Sequence, residues 1–343
     1  MAVNLPRPRG PISTELIRFL REGEEDLTLP EPDDLSHGEA ALSDDDLHVS
    51  LYITYELGYR GFDEVEPDME WHPAVLGLRA SLESRFLDAL HDAVPVRSYL
   101  DPADVGSKLF ELAAADDGGF AGHLGGAGTA DQFREFAIHR SAYQLKEADP
   151  HSWAIPRLEG GPKAALLEVQ FDEYGSGRAD RIHAHLFAQA MEALDLDSTY
   201  GAYLDLIPGI TLATVNVMSM FGLRRRWRGA IVGHLAMFEI TSAEPNRRYA
   251  NGLRRLGLED ATPFFDEHVE ADSVHENIAA HDLAGGLAAQ QPELAPDILF
   301  GAECLLELEG RWAAVLMQSW ERGESSLREE PSRPGLAPAA QVI

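Results

Sequence analysis

Apolar residues recur along most of this 343-residue chain at the three-to-four-residue spacing of amphipathic helices. Almost no segment alternates polar and apolar residues with a period of two, so strands are not expected. Thr129 or Asp131 is a suitable N-cap for the helix that begins near residue 131. The predicted fold is all-α. The pattern predicts helices at residues 12–20, 44–61, 73–90, 131–148, 161–174, 178–193, 199–221, 227–241, 246–256, 260–286 and 292–322.

Changes in composition divide the chain into four parts. Residues 1–45 are rich in Pro, Gly, Asp and Glu, which predicts a flexible N-terminal arm whose removal leaves folding intact. Residues 46–110 are predicted to form an accessory helical region, and residues 111–322 a larger helical domain. The Ser- and Pro-containing tail, residues 323–343, is predicted to be disordered.

Charge and cysteine content exclude several classes of protein. The chain has 28 basic and 58 acidic residues, and its net charge of −30 disfavours binding to nucleic acid or anionic membranes. Cys304 is the only cysteine, which excludes an intrachain disulfide and fits a reducing cytoplasm. The longest apolar stretches are shorter than the roughly 20 residues of a membrane span, and the N-terminus lacks a signal-peptide core. A soluble cytoplasmic protein is expected.

The most informative motif is His-x3-Asp-x2-His, formed by His268, Asp272 and His275 within a predicted helix. At about 100° per residue these side chains fall within an arc of roughly 60° on one face. Two imidazoles and a carboxylate suit non-heme iron and leave coordination positions open. In a chain with 13 His and 58 acidic residues, such a triplet can also arise on a solvated helix face.

Further metal ligands are expected on the helices that could face this triplet. Glu147, at the end of the helix predicted for 131–148, is the best candidate there, with Glu135 and His139 as substitutes. The alternative interpretation places Glu147 at a fraying helix end beside Asp149-Pro150.

Glu173 and His183 flank the sequence Gly175-Ser176-Gly177. A straight helix would separate the two side chains by about 15 Å of rise, whereas a bend at the glycines could direct both toward one point. The alternative interpretation makes Glu173 a surface acid and His183 a core histidine.

Other residues are expected to surround the ligands. Pocket walls are predicted from residues 214–221 and 234–241, within which His234 and Glu239 contact substrate or pair with each other; the pairing is favoured. Asp172, Glu270 and Glu276 are candidates for orienting the imidazoles.

With these positions the sequence resembles the heme-oxygenase-like diiron oxidases and oxygenases, often described as iron-containing redox enzymes. Members of that family are similar in having a carboxylate on one core helix, a Glu followed by His on a second, and His-x3-Asp-x2-His on a third. The resemblance covers roughly residues 110–322, and the Glu-x9-His spacing is similar to the N-oxygenating branch. The residues that match are Glu147, Glu173, His183, His268, Asp272 and His275.

The resemblance implies a heme-oxygenase-like helical bundle that activates dioxygen at a non-heme diiron site and oxidises a small organic substrate, with N-oxygenation one implied reaction. Two iron ions (Fe2+/Fe3+) are the implied cofactor, and a manganese–iron pair is left open. Dioxygen and a small-molecule substrate are the expected partners, without nucleic acid or membrane. An external electron donor and a homodimer are left open, and no catalytic residue beyond the metal ligands is expected.

Three other interpretations remain. A metal-free acidic interaction protein would carry its histidines on solvated faces. A heme-binding, heme-oxygenase-like protein would need one proximal histidine and no dense set of carboxylates. A thiaminase-like hydrolase would need Cys304 as nucleophile, and no base is evident beside it in the sequence.

Overall fold

The computed structural model describes residues 3–23, 27, 36–95, 101–115 and 118–329. No β-strand occurs within these ranges, so the all-α prediction is confirmed for them. A π-helix, Ile278–Gly285, connects helices α12 and α13. In chain order the α-helices are α1 Pro11–Glu22, α2 Asp45–Glu56, α3 Pro73–Ala93, α4 Val105–Ala113, α5 Gly119–Gly126, α6 Ala130–Gln144, α7 Asp149–Ser152, α8 Gly160–Glu173, α9 His183–Ala193, α10 Gly209–Leu223, α11 Arg228–Arg255, α12 Pro263–Asn277, α13 Gly286–Gln290 and α14 Ala295–Glu321.

Helices α11 and α14 form the centre of the bundle, and α12 packs against α11. Two glycines let α11 and α14 approach closely. A Cβ at Gly233 would lie 1.7 Å from the Ile298 carbonyl oxygen, and one at Gly301 would lie 1.9 Å from that of Ala230. Among the residues that the structure describes, no helix combines the length and the apolar character needed to cross a membrane.

Several predicted helix boundaries are corrected. The helix predicted from residue 199 begins at Gly209, because turns occupy the preceding ten residues. The two helices predicted at 227–241 and 246–256 are one helix of 28 residues, α11, with Pro245 inside it. An interior proline costs roughly 3 kcal/mol, so we attribute the continuity to the buried residues that α11 contributes on both sides of Pro245.

The predicted flexible N-terminal arm is wrong for helix α1, which is packed. Leu16 and Phe19 are fully buried, because the apolar face of α1 contacts the bundle. The Asp46 carboxylate accepts bonds from the backbone N–H groups of Ile12 and Ser13, each at 2.8 Å, and so ties α1 to α2. Residues 1–2, 24–26 and 28–35 of this arm lie outside the described residues.

The predicted disorder of the tail is also wrong for residues 323–329. The Ser326 hydroxyl donates to Glu135 at 2.6 Å, and the Arg328 backbone N–H donates to the Leu206 carbonyl at 2.8 Å. These contacts fix the chain although its composition favours disorder. Residues 330–343 lie outside the described residues, and the proposed domain boundaries stay predictions.

Candidate metal centre

Four helices and one turn bring acidic and imidazole side chains to one buried point. Glu147 lies in the turn between α6 and α7, and Glu239 lies on α11. Glu173 is the last residue of α8 and His183 the first of α9. Helix α12 contributes His268, Asp272 and His275, all at most 5% exposed.

These side chains form two groups that share one carboxylate. In each group the ligand atoms lie within 4.8 Å of one another. The first group contains Glu147, Glu173, His183 and His268, and the second contains Glu173, Glu239 and His275. A cavity of about 30 Å³ lies between them and is also lined by Asp272. Glu173 belongs to both groups, which is the arrangement that a bridging ligand requires.

A reversal of the chain brings Glu173 and His183 together, as the glycine pattern predicted. Gly175, Ser176 and Gly177 all have positive φ, at 76°, 53° and 81°. Gly175 is required at its position, because a Cβ there would lie 2.6 Å from the Ile182 backbone nitrogen. The result is a distance of 3.1 Å between His183 Nδ1 and Glu173 Oε2.

The inward-facing atoms of the cluster lack hydrogen-bond partners among the described residues. His183, His268 and His275 each face a carboxylate at 3.1 to 3.5 Å, but without the alignment of a hydrogen bond. Buried polar atoms are rarely left in this state unless a ligand satisfies them. A mixed set of nitrogen and oxygen donors suits iron, so the residues fit the metal. The unpartnered atoms are Glu147 Oε2, Glu173 Oε2, His183 Nδ1, Glu239 Oε2, His268 Nε2, Asp272 Oδ2 and His275 Nδ1.

Two of the imidazoles are oriented through their other ring nitrogen. His268 Nδ1 lies 2.7 Å from the Phe264 carbonyl oxygen, to which it donates, so in the neutral ring Nε2 carries the free lone pair. His275 Nε2 lies 3.1 Å from Asp172 Oδ2, which leaves Nδ1 facing the cluster. Asp172 was one of three acids predicted for this role. Glu270 is exposed, and Glu276 instead accepts a bond from Asn277.

The electrostatics of the cluster favour charged histidines when no metal is bound. Burial alone lowers the pKa of His268, but the Glu147 carboxylate outweighs burial and holds that pKa well above its usual range. Burial also lowers the pKa of His275, but the nearby Glu239 carboxylate outweighs burial and raises that pKa to about 9. Burial raises the pKa of Glu239 to about 8. Protons therefore occupy part of the site until another cation displaces them.

The six predicted ligands have different positions in this arrangement. Glu147, Glu173, His183 and His268 lie in the first group and His275 in the second, whereas Asp272 is buried beside both groups and belongs to neither. Their role as metal ligands stays a prediction.

Sequence reasoning assigned Glu239 to the pocket wall and to a pair with His234, and that pairing is wrong. His234 instead lies 3.3 Å from His151, and Glu239 faces His275 at 3.5 Å. The available signal was a lone acid within an otherwise apolar helical segment.

The proposed substitutes for Glu147 have other partners. His139 lies 2.7 Å from Thr211 Oγ1 and 3.0 Å from Ser326 Oγ, and Glu135 accepts from Trp320 and Ser326. Both side chains therefore hold the bundle together, and neither belongs to the cluster.

A second cavity, of about 550 Å³, borders the cluster at Glu147 and His268. Aromatic side chains such as Phe136, Phe238 and Trp312 form much of its wall. Residues 234–241 contribute to the wall as predicted, but none of residues 214–221 lines it, because α10 packs against α2 and α14 instead. A volume of this size suits a small-molecule substrate.

Helices α6 and α14 both contribute charged residues to this cavity, Arg140 and Glu309. Arg140 donates to Glu309 at 2.8 Å, and its guanidinium lies 3.9 Å from the Trp312 ring centroid. Gln144 lies one turn further along α6, followed by Glu147. The cavity thus has a charged pair about two helical turns from the cluster.

The only cysteine is not arranged as a nucleophile. Cys304 is fully buried on α14, and burial raises the pKa of its thiol well above the usual range. A thiol in this environment stays protonated, which argues against the thiaminase-like interpretation.

Comparison with known proteins gives one family. A family model described as "Iron-containing redox enzyme" matches residues 134–310, which is more than half of the chain and includes every residue of the cluster. No curated protein matches the sequence.

Proposed function

This chain belongs to the iron-containing redox enzymes, and on that premise we propose that its buried cluster holds two iron ions and oxidises a small organic substrate with dioxygen. The observation that carries the proposal is the pair of ligand groups that share Glu173. Seven donor side chains for two ions leave open positions, which an oxidase or oxygenase needs.

The two ligand groups would each hold one iron ion. Glu147, His183 and His268 would hold one ion, Glu239 and His275 the other, and Glu173 would bridge both. Asp272, which lies 3.9 Å from His275 Nδ1, is available as a further carboxylate. Bound iron supplies the change of redox state and the coordination positions at which dioxygen reacts.

The protein itself would prepare the site and the substrate. Phe264 and Asp172 hold two imidazoles with a free nitrogen inward, so that little reorganisation is needed on binding. The aromatic cavity would exclude water, and the Arg140–Glu309 pair would orient the polar end of a substrate about two turns from the metals.

The test is an anaerobic titration of metal-free protein with Fe2+, followed by Mössbauer spectroscopy and exposure to oxygen in a stopped-flow instrument. We expect two iron ions per chain and a transient absorption change on mixing with oxygen. Glu173→Gln should lose the two-ion stoichiometry, whereas Glu168→Gln, an exposed acid on the same helix, should keep it.

Other outcomes would replace this proposal. Binding of one ion or none would remove the dinuclear centre. Stoichiometric binding of hemin with a Soret band would favour the heme-binding interpretation. A parallel titration with Mn2+ and Fe2+ together would show whether the two groups prefer different metals.

A further inference from the structure

Glu147 is the one member of the first ligand group that does not lie in a helix. It follows the C-terminus of α6, in a turn held by backbone bonds from Lys146 to Tyr143 and from Asp149 to Lys146, each at 2.9 Å. Turns are less constrained than helix interiors. The position of the Glu147 carboxylate therefore depends on contacts that this turn makes with its surroundings.

One such contact comes from the N-terminal region. Lys146 Nζ donates to Glu56 Oε2 at 2.9 Å, and these side chains are 1% and 0% exposed. The same carboxylate oxygen accepts from the Tyr200 hydroxyl at 2.7 Å. The ammonium also lies 4.3 Å from the Tyr59 ring centroid. A buried ion pair is directional, so it fixes Lys146 and hence the orientation of the next residue.

A second contact holds the same turn from the same region. Arg60 Nη2 donates to the Leu145 carbonyl at 2.9 Å. The Arg60 guanidinium lies 4.0 Å from the Tyr200 ring centroid, which links it to the partner of Glu56. Glu56 ends helix α2 and Arg60 lies in the turn that follows, so one short segment contacts both residues before Glu147.

We propose that Glu56 and Arg60 are positioning residues for Glu147, acting through Lys146 and the Leu145 carbonyl. Both lie outside residues 134–310, the part of the chain that the family model matches. In this protein the N-terminal region therefore completes the metal centre, although it supplies no ligand. The inference rests on the proposed function, because it requires Glu147 to bind a metal ion.

The experiment uses Co2+ as a probe, since its visible absorption reports the number and kind of its ligands. In the full-length protein, Glu56→Gln with Lys146→Met replaces the ion pair by neutral side chains and keeps an acceptor for Tyr200. We expect Co2+ affinity to fall about 10–100-fold and the absorption band to change, as when an outer partner of a ligand is lost. Arg60→Met, at an exposed residue, should cause a smaller loss in the same direction.

A double-mutant cycle separates positioning from general stability. In a Glu147→Gln background the Glu56/Lys146 change should have no further effect on Co2+ binding, because the carboxylate that it positions is absent. The matched control is Glu83→Gln, which alters another buried acid of the N-terminal half, bonded to Tyr55 at 2.9 Å. That variant should lower the melting temperature and leave the Co2+ spectrum unchanged.

Two results would overturn the inference. The first is unchanged Co2+ affinity and spectrum in the folded Glu56/Lys146 variant; if that variant does not fold, the Arg60→Met result decides. The second is that the Glu56/Lys146 change lowers Co2+ affinity equally in the wild-type and in the Glu147→Gln background. Two other results would instead contradict the proposed function. One is that the wild-type protein does not bind Co2+, and the other is that Glu147→Gln leaves Co2+ binding unchanged.

Discussion

Two groups of buried histidines differ in what their ring nitrogens contact. His139 has neutral oxygen partners at both nitrogens, at 2.7 and 3.0 Å. His48 likewise lies 2.9 Å from the Ala41 carbonyl and 3.3 Å from the Asn216 amide. Burial lowers the pKa of His139 to about 3 and that of His48 to about 4, so both rings are neutral and serve packing.

The histidines of the candidate metal centre are equally buried but incompletely bonded. His183, His268 and His275 each leave one nitrogen without a hydrogen bond, and that nitrogen faces a carboxylate. The pKa of each ring is raised despite burial, because the neighbouring acids favour the charged form. Burial alone therefore does not distinguish a structural histidine from a candidate ligand, whereas an unpartnered nitrogen that faces a carboxylate does.

Exchanging one histidine of each kind should separate their roles most strongly. His268→Ala removes a proposed ligand, so iron affinity should fall by at least the roughly 10–100-fold seen when an outer partner is lost, and oxygen consumption should stop. His139→Ala should keep the iron but lose about 1–3 kcal/mol of unfolding free energy, because Thr211 and Ser326 lose their partner. Iron content and urea unfolding measure these effects.

Normal iron binding by His268→Ala would remove that residue from the site. Loss of iron in folded His139→Ala protein would end the distinction between the two kinds of histidine. Circular dichroism of both variants controls for loss of helix.

The chain reversal between α8 and α9 offers a comparison within one turn. Gly175→Ala should lower iron stoichiometry, because a Cβ would lie 2.6 Å from the Ile182 nitrogen and push Glu173 and His183 apart. Gly177→Ala has a similar positive φ of 81° but no atom within 4 Å of the added carbon. It should lose only about 1 kcal/mol of stability and keep its iron. Equal iron binding by both variants would show that the reversal does not position the ligands.

Sequence periodicity was sufficient to predict the all-α fold, because helix-forming apolar faces are a local property. The Gly-Ser-Gly sequence, rather than periodicity, predicted the bend that directs Glu173 and His183 toward one point. Sequence reasoning failed where contacts between residues distant in the chain determine the structure. Helix α11 continues through Pro245, and α1 is packed, because of neighbours that are remote in sequence.

The same limit applies to the cluster. His268, Asp272 and His275 share a helix face, so their proximity follows from spacing alone. Glu239 could not be assigned from spacing, because its approach to His275 depends on how α11 crosses α12. The choice between Glu147 and His139 likewise depends on tertiary partners, which no local pattern encodes.

Removing the hydrogen bond that orients His275 should lower iron affinity less than removing a ligand. Asp172→Ala removes the acceptor of His275 Nε2, so iron affinity should fall about 10–100-fold while the helices stay intact. Glu270→Ala is the matched control, because Glu270 is an exposed acid on α12. Anaerobic iron titration measures both. An equal effect of the two changes would mean that net charge, rather than orientation, controls binding.

The smallest expected effect is a change of melting temperature with pH. The pKa of His275 is about 9 in the folded protein, so its stabilising contribution is complete below its ordinary value of 6.5 and is lost as pH rises through 9. Glu239, with a pKa of about 8, also makes the protein less stable as pH rises. The reason is that below this pH the folded protein holds a proton that the unfolded chain has released. Metal-free protein should therefore melt at a lower temperature at pH 8.5 than at pH 6.

Stabilisation of the protein by a bound metal ion should increase with pH. Fewer protons must be displaced from the ligands at higher pH, so affinity for Mn2+, which accepts the same donors, should rise. Each tenfold gain is about 1.4 kcal/mol, or roughly 2–4 °C of melting temperature. The difference between metal-bound and metal-free melting temperatures should thus widen from pH 6 to pH 8.5. In Glu239→Gln/His275→Gln protein the difference should widen less, because His183 and His268 still release protons but the two replaced side chains do not. A difference that narrows with pH in the wild type would contradict the proton displacement.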